Sequence, residues 1–179
     1  MPDNQTEQPT TGTRDAETLS RIIRLGFGGD TDRFDQFMQG LCDAIPEEAA
    51  VILRGSAVTG FRWEDGAPFD ADGPGSSDLD VTFIGGGLIR HFEEFYIPAL
   101  HSVPLSDEHP EASPTFVPLR RALSSLARRP VNLQATADLV QYVRDVVMNQ
   151  PYFTLVEKVD ALKDGEARAV CSADATREG

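Results

Sequence analysis

GSSDLDVTFIG, Gly75 to Gly85, passes from a polar loop into an apolar run within a few residues. On a strand, residues i and i+2 share a face, so Asp78 and Asp80 would project together from the rim of a sheet. Two carboxylates side by side repel, and a cation seated between them removes that penalty. The stretch therefore predicts a strand near 79–84 with a candidate metal site at its start.

Upstream, AAVILRG is a short apolar strand ending at Gly55, and downstream PVNLQA predicts a third near 130–135. Apolar periodicity predicts helices over 16–25, 32–45, 88–100, 117–129 and 137–150. Thr31 or Asp32 is expected to cap the second of these and Thr136 or Asp138 the last. YFTLVEKV, from Tyr152, fits a last strand or another helix. Strands separated by helices imply an α/β (α+β) domain, a small mixed sheet flanked by helices. Residues 1–14 read as a flexible arm, 15–160 as one domain and 161–179 as a polar tail.

The 179 residues suffice for one domain with a hydrophobic core. The formal net charge of −13 argues against an extended nucleic-acid surface, which needs clustered Lys and Arg. A small phosphorylated ligand remains compatible with it, because a divalent metal reverses the local field. No stretch approaches the roughly 20 apolar residues that span a bilayer, and the N-terminus lacks the basic start and apolar core of a secretory signal. Cys42 and Cys171 lie far apart, against a structural disulfide or a cysteine metal site. These readings make cytoplasm the expected compartment.

Asp-x-Asp serves several chemistries. In phosphatases of the haloacid dehalogenase type the pair follows its strand; DLDVT matches their letters, but the preceding GPGSS is no buried strand. Sugar-nucleotide glycosyltransferases also place the pair after an apolar strand. Here the order is loop, carboxylates, strand. That order, together with VILRGSAVTG (Val51 to Gly60) and SSDLDV (Ser76 to Val81), resembles the nucleotidyltransferase superfamily that includes DNA polymerase beta and kanamycin nucleotidyltransferase.

The resemblance implies a nucleotidyltransferase core, a nucleoside triphosphate such as ATP as donor, and a hydroxyl acceptor on a small molecule or protein. Asp78 and Asp80 would be the catalytic ligands of Mg²⁺ (or Mn²⁺), with Gly55, Ser56 and Ser77 binding the nucleotide. The alternative is a catalytically degenerate module of this type that binds nucleotide or a partner protein. The chain is short for a self-sufficient member, so a homodimer or partner chain is also implied.

Two departures stand out. The segment 61–75 lengthens the gap between Ser56 and Asp78, which slow growth of loop-closure entropy tolerates. Trp63 within it, the only tryptophan, is read first as the anchor of its loop and second as a stacking surface for a base. The third carboxylate that such enzymes carry on a later strand is missing: PVNLQA offers Asn132 or Gln134, neither of which takes a proton. Glu157 is the substitute if the last strand is the relevant one. Arg54 and Arg62 are candidate phosphate contacts, whereas Arg128 and Arg129 suit a helix C-terminus.

Overall fold

A computed structural model describes residues 11–92 and 103–157. Two helices come first, α1 (Thr11–Phe27) and α2 (Thr31–Ala44). The first begins inside the stretch read as an arm. Asp30 caps α2, one residue ahead of the expected Thr31 or Asp32, and its carboxylate accepts the Arg33 amide at 3.0 Å. Cys42, half-buried on α2, is disulfide-bonded, which corrects the expectation of unpaired cysteines. Cys171 lies outside the described residues.

Then follow β1 (Ala50–Arg54), a single helical turn α3 (Ser56–Thr59) and β2 (Leu79–Ile84). Of the helix expected over 88–100, Ile89–His91 forms one 3₁₀ turn, and residues 93–102 lie outside the described residues. Two further 3₁₀ turns lead into α4 (Val117–Ala127), β3 (Val131–Thr136), α5 (Leu139–Asp145) and β4 (Tyr152–Val156). Asp138 caps α5 as expected, accepting the Gln141 amide at 2.9 Å. YFTLV resolves as a strand.

The strands form one mixed sheet in the order β3-β2-β1-β4. β1 is antiparallel to both β2 and β4, while β2 and β3 run parallel. This is the α+β architecture expected, and the period-2 rule places its core. Val51, Leu53, Leu79, Val81, Phe83, Val131, Leu133 and Ala135 share one face and pack with Ile22 and Phe27 of α1, Phe37 and Leu41 of α2, and Leu123 of α4. Fully burying each such large side chain contributes about 1.5–3 kcal/mol. The alternate residues, Ile52, Arg54, Asp80, Thr82, Asn132 and Gln134, face the other way. There α5 and the turn after it cover part of the sheet, with Tyr142 of the helix and Val147 of the turn packed on Ile52. Thr82 and Gln134 lie buried beneath Tyr142, while Arg54, Asp80 and Asn132 stand on the less covered part.

Candidate functional site

Register does most of the assembly. Arg54 pairs with Asp80 across β1 and β2, and Asp80 with Asn132 across β2 and β3. Arg54, Asp80 and Asn132 therefore stand side by side on the partly uncovered face. Thr82 and Gln134 form the next rung behind them.

Gly55 ends β1 at φ +83° and ψ −160°, a backbone region essentially reserved for glycine. A Cβ at this position would lie 3.2 Å from Asp80 Oδ2. The turn thus needs glycine twice, for its torsion angles and for the close passage of the chain beside a carboxylate.

Asp78 and Asp80 converge on a single point. The Nδ2 of Asn132 donates to Asp78 Oδ2 at 2.5 Å and to Asp80 Oδ1 at 3.2 Å. On the other side, Arg54 Nη1 is 3.6 Å from Asp80 Oδ2. Burial raises the Asp80 pKa, and the Asp78 charge adds to this; Arg54 and the Asn132 amide pull it back without cancelling it. Burial also works against the charge on Arg54, but Asp80 and Tyr142 outweigh it and hold the guanidinium protonated.

Arg54 is fixed by a buried network. Its Nε donates to Tyr142 Oη at 3.1 Å and its Nη2 to Gln134 Oε1 at 3.1 Å. Tyr142 gives its own proton to Gln134 Oε1 at 2.7 Å, so Thr82 Oγ1, at 2.8 Å, is the donor to the phenol oxygen. Burial, moderated by Arg54, raises the Tyr142 pKa and keeps the phenol neutral.

All five residues selected from sequence, Gly55, Ser56, Ser77, Asp78 and Asp80, line one cavity of about 320 Å³. Ser77 has a structural task as well: its hydroxyl accepts the Asp70 amide at 2.8 Å. Arg62 lines the cavity too, but its guanidinium is held by Asp72 at 2.8 Å, with Asp65 at 3.7 Å. Of the candidates for a third acidic position, Asn132 is the one beside the aspartates, while Gln134 is turned into the Tyr142 network. Glu157 follows β4, whose Tyr152 end pairs with Arg54 and whose Val156 end pairs with Val51. It therefore stands at the far end of the sheet from the site.

The long segment before Asp78 is tied down rather than loose. Arg129 donates to Asp70 Oδ1 at 2.9 Å and Oδ2 at 3.2 Å, to the Ser77 carbonyl at 2.9 Å, and to the carbonyls of Gly26 and Leu25. Its guanidinium also lies over the Phe69 ring, 4.5 Å from the centroid. Arg128, in the left-handed conformation, is the residue that ends α4. Arg129 also helps close α4, its amide donating to the Ser124 carbonyl at 3.3 Å, but its side chain does more than the helix-terminus reading foresaw: it clasps the segment to α1. Trp63, by contrast, is 63% exposed, so it does not anchor its loop.

Among the described residues, no three His, Cys, Asp or Glu side chains gather into a metal site. The donor set that is present comprises two carboxylates and an amide meeting at one point. A half-turn of the Asn132 side-chain amide would present Oδ1 in place of Nδ2, giving three hard oxygen donors of the kind that suits Mg²⁺ or Mn²⁺. The residues fit such an ion, with less negative charge than three carboxylates would bring.

Sequence reading missed Tyr142 and Asp70, and for a plain reason. The Tyr142 partners are 8, 60 and 88 positions away, and Asp70 meets Arg129 across 59. No local pattern encodes such pairs. In comparisons with known proteins, no family model, no curated protein and no solved structure matches this chain.

Proposed function

We propose that this protein is a metal-dependent nucleotidyltransferase. It would move a nucleoside monophosphate from a nucleoside triphosphate to a hydroxyl acceptor on a small molecule or protein. The observation that carries the reading is the convergence of the Gly55-Ser56 turn and the Asp78–Asp80 pair on one cavity. Asp78 and Asp80 would hold Mg²⁺, which would supply neutralisation of phosphate charge in an in-line displacement. Gly55 and Ser56, at the same cavity, bind the outer phosphates. The acceptor oxygen bonds to the α-phosphorus as pyrophosphate leaves. With an amide at position 132, the acceptor proton has no third carboxylate to receive it and passes to water.

A second reading, a degenerate module that binds nucleotide without transferring it, is favoured by that same amide. Asn132 occupies the strand position beside Asp80, and no carboxylate replaces it there. Calorimetric titration with ATP, GTP, CTP and UTP, with and without Mg²⁺, tests the site. One nucleotide should bind only with metal, and Asp80→Ala should abolish that binding. Pyrophosphate release on adding acceptors then separates an enzyme from a binding module. Binding that ignores Mg²⁺ would sink the metal-dependent enzyme, and absence of binding for all four nucleotides, with or without metal, would sink both readings.

A further inference from the structure

Trp63 is the only tryptophan of the chain, and it stands 63% exposed at the rim of the candidate cavity. Single exposed hydrophobic residues are ordinary on protein surfaces. The position of this one is not. Apart from Gly55, every other residue lining the cavity is polar or charged, so Trp63 supplies its one aromatic surface. Phe61, 59% exposed, lies two residues away on the same segment.

The turn that carries Trp63 is braced on both sides. Phe61 and Pro68 form a bridge, and the Arg62 amide donates to the Ala67 carbonyl at 2.7 Å. The Gly66 amide returns to the Arg62 carbonyl at 3.0 Å, and the Arg62 side chain is paired with Asp72 at 2.8 Å. An indole presented on a fixed turn loses little conformational freedom when a planar group lies against it. Tryptophan brings about 150–250 Å² of surface to such a contact.

Building on the proposed nucleotide site, we infer that Trp63 is its base subsite. The cavity lining joins two different chemistries, hard oxygen donors at Asp78 and Asp80 and an aromatic face at Trp63. A ligand matching both carries phosphates at one end and a planar ring at the other. A volume of about 320 Å³ falls at the lower end of the range for small-molecule pockets. Stacking recognises a π-face rather than a hydrogen-bonding edge, so Trp63 strengthens binding of all four bases and selects among them weakly.

The single tryptophan makes the test direct. Its fluorescence is followed while Mg²⁺ is present and either nucleoside triphosphate or inorganic tripolyphosphate is added, with calorimetry on Trp63→Ala and Trp63→Phe in parallel. Nucleotide is expected to quench the emission and tripolyphosphate to bind without quenching. Trp63→Ala should weaken nucleotide binding by roughly 5- to 150-fold, the span of one base–aromatic stack. Its tripolyphosphate affinity should not change, and Trp63→Phe should retain most of the nucleotide affinity. Equal nucleotide affinity in Trp63→Ala, or equal quenching by tripolyphosphate, overturns the base subsite while leaving the phosphate site standing. Failure of both ligands to bind overturns the site and the subsite together.

Discussion

Gly55 and Asn132 are the two residues on which the local chemistry turns. Alanine at position 55 would combine a φ of +83° with a Cβ 3.2 Å from the Asp80 carboxylate. Gly55→Ala is expected to destabilise the fold by about 1–3 kcal/mol in urea unfolding. Asn132→Asp has a two-sided effect. It replaces the donor shared by Asp78 and Asp80 with a third negative charge, and should lower stability by about 1–3 kcal/mol without divalent ions. Mg²⁺ should restore that loss and raise the melting temperature more than it does in the wild type. An identical Mg²⁺ shift in the two proteins would count against an ion at this point. At this scale much was legible, because Gly-Ser at a strand exit and Asp-x-Asp at a strand start are local signals. Asn132 was legible too, since strand parity puts it and Gln134, the two positions read from sequence, on one face with Asp80. Tyr142 was not: a phenol hidden on a helix announces no partner.

The segment between α3 and β2 behaves as an element in its own right. Asp70 and Arg129 hold it, and the carboxylate also accepts the amides of Gly75 and Ser77 at 3.1 and 2.9 Å. Burial alone would raise the Asp70 pKa, but Arg129 and those amides outweigh it and hold it below the ordinary carboxylate value. A lowered carboxylate pKa contributes stability that is complete above about pH 3.9 and is lost as pH falls through the lowered value. Asp70→Asn should therefore cost about 2 kcal/mol near neutrality. The gap between variant and wild type should close in strong acid, as read from unfolding curves taken across pH. A gap that persists unchanged would show that the charge on Asp70 contributes nothing. From sequence this stretch looked like an insertion pinned by its tryptophan. Its fasteners are instead an aspartate in the left-handed region, φ +59°, and an arginine from beyond α4. Long-range pairing of that sort leaves no trace in composition or periodicity.

Across the whole molecule, one parity rule separates stability from chemistry. The odd-numbered strand residues, Val51 to Ala135, are joined to α1, α2 and α4, while the even-numbered ones carry Arg54, Asp80 and Asn132. A slip of one residue between β2 and β3 would set Leu133 beside Asp80, exposing core and burying charge at once. The sheet class was legible from its strands and their spacing. Strand order was not, and least of all the pairing of β4 beside β1, which depends on contacts about 100 residues apart. The paired aspartates are held by Asn132 and Arg54 within the protein itself. Chelation with EDTA is accordingly expected to leave the melting temperature unchanged, unlike small domains whose structural metal is part of their folding energy. A marked fall would mean that the internal partners are insufficient. With the proposed metal site, the order of events would follow: the chain would fold first and load afterwards. Cation supply would then set how much of the protein is ready to act, and not how much of it exists.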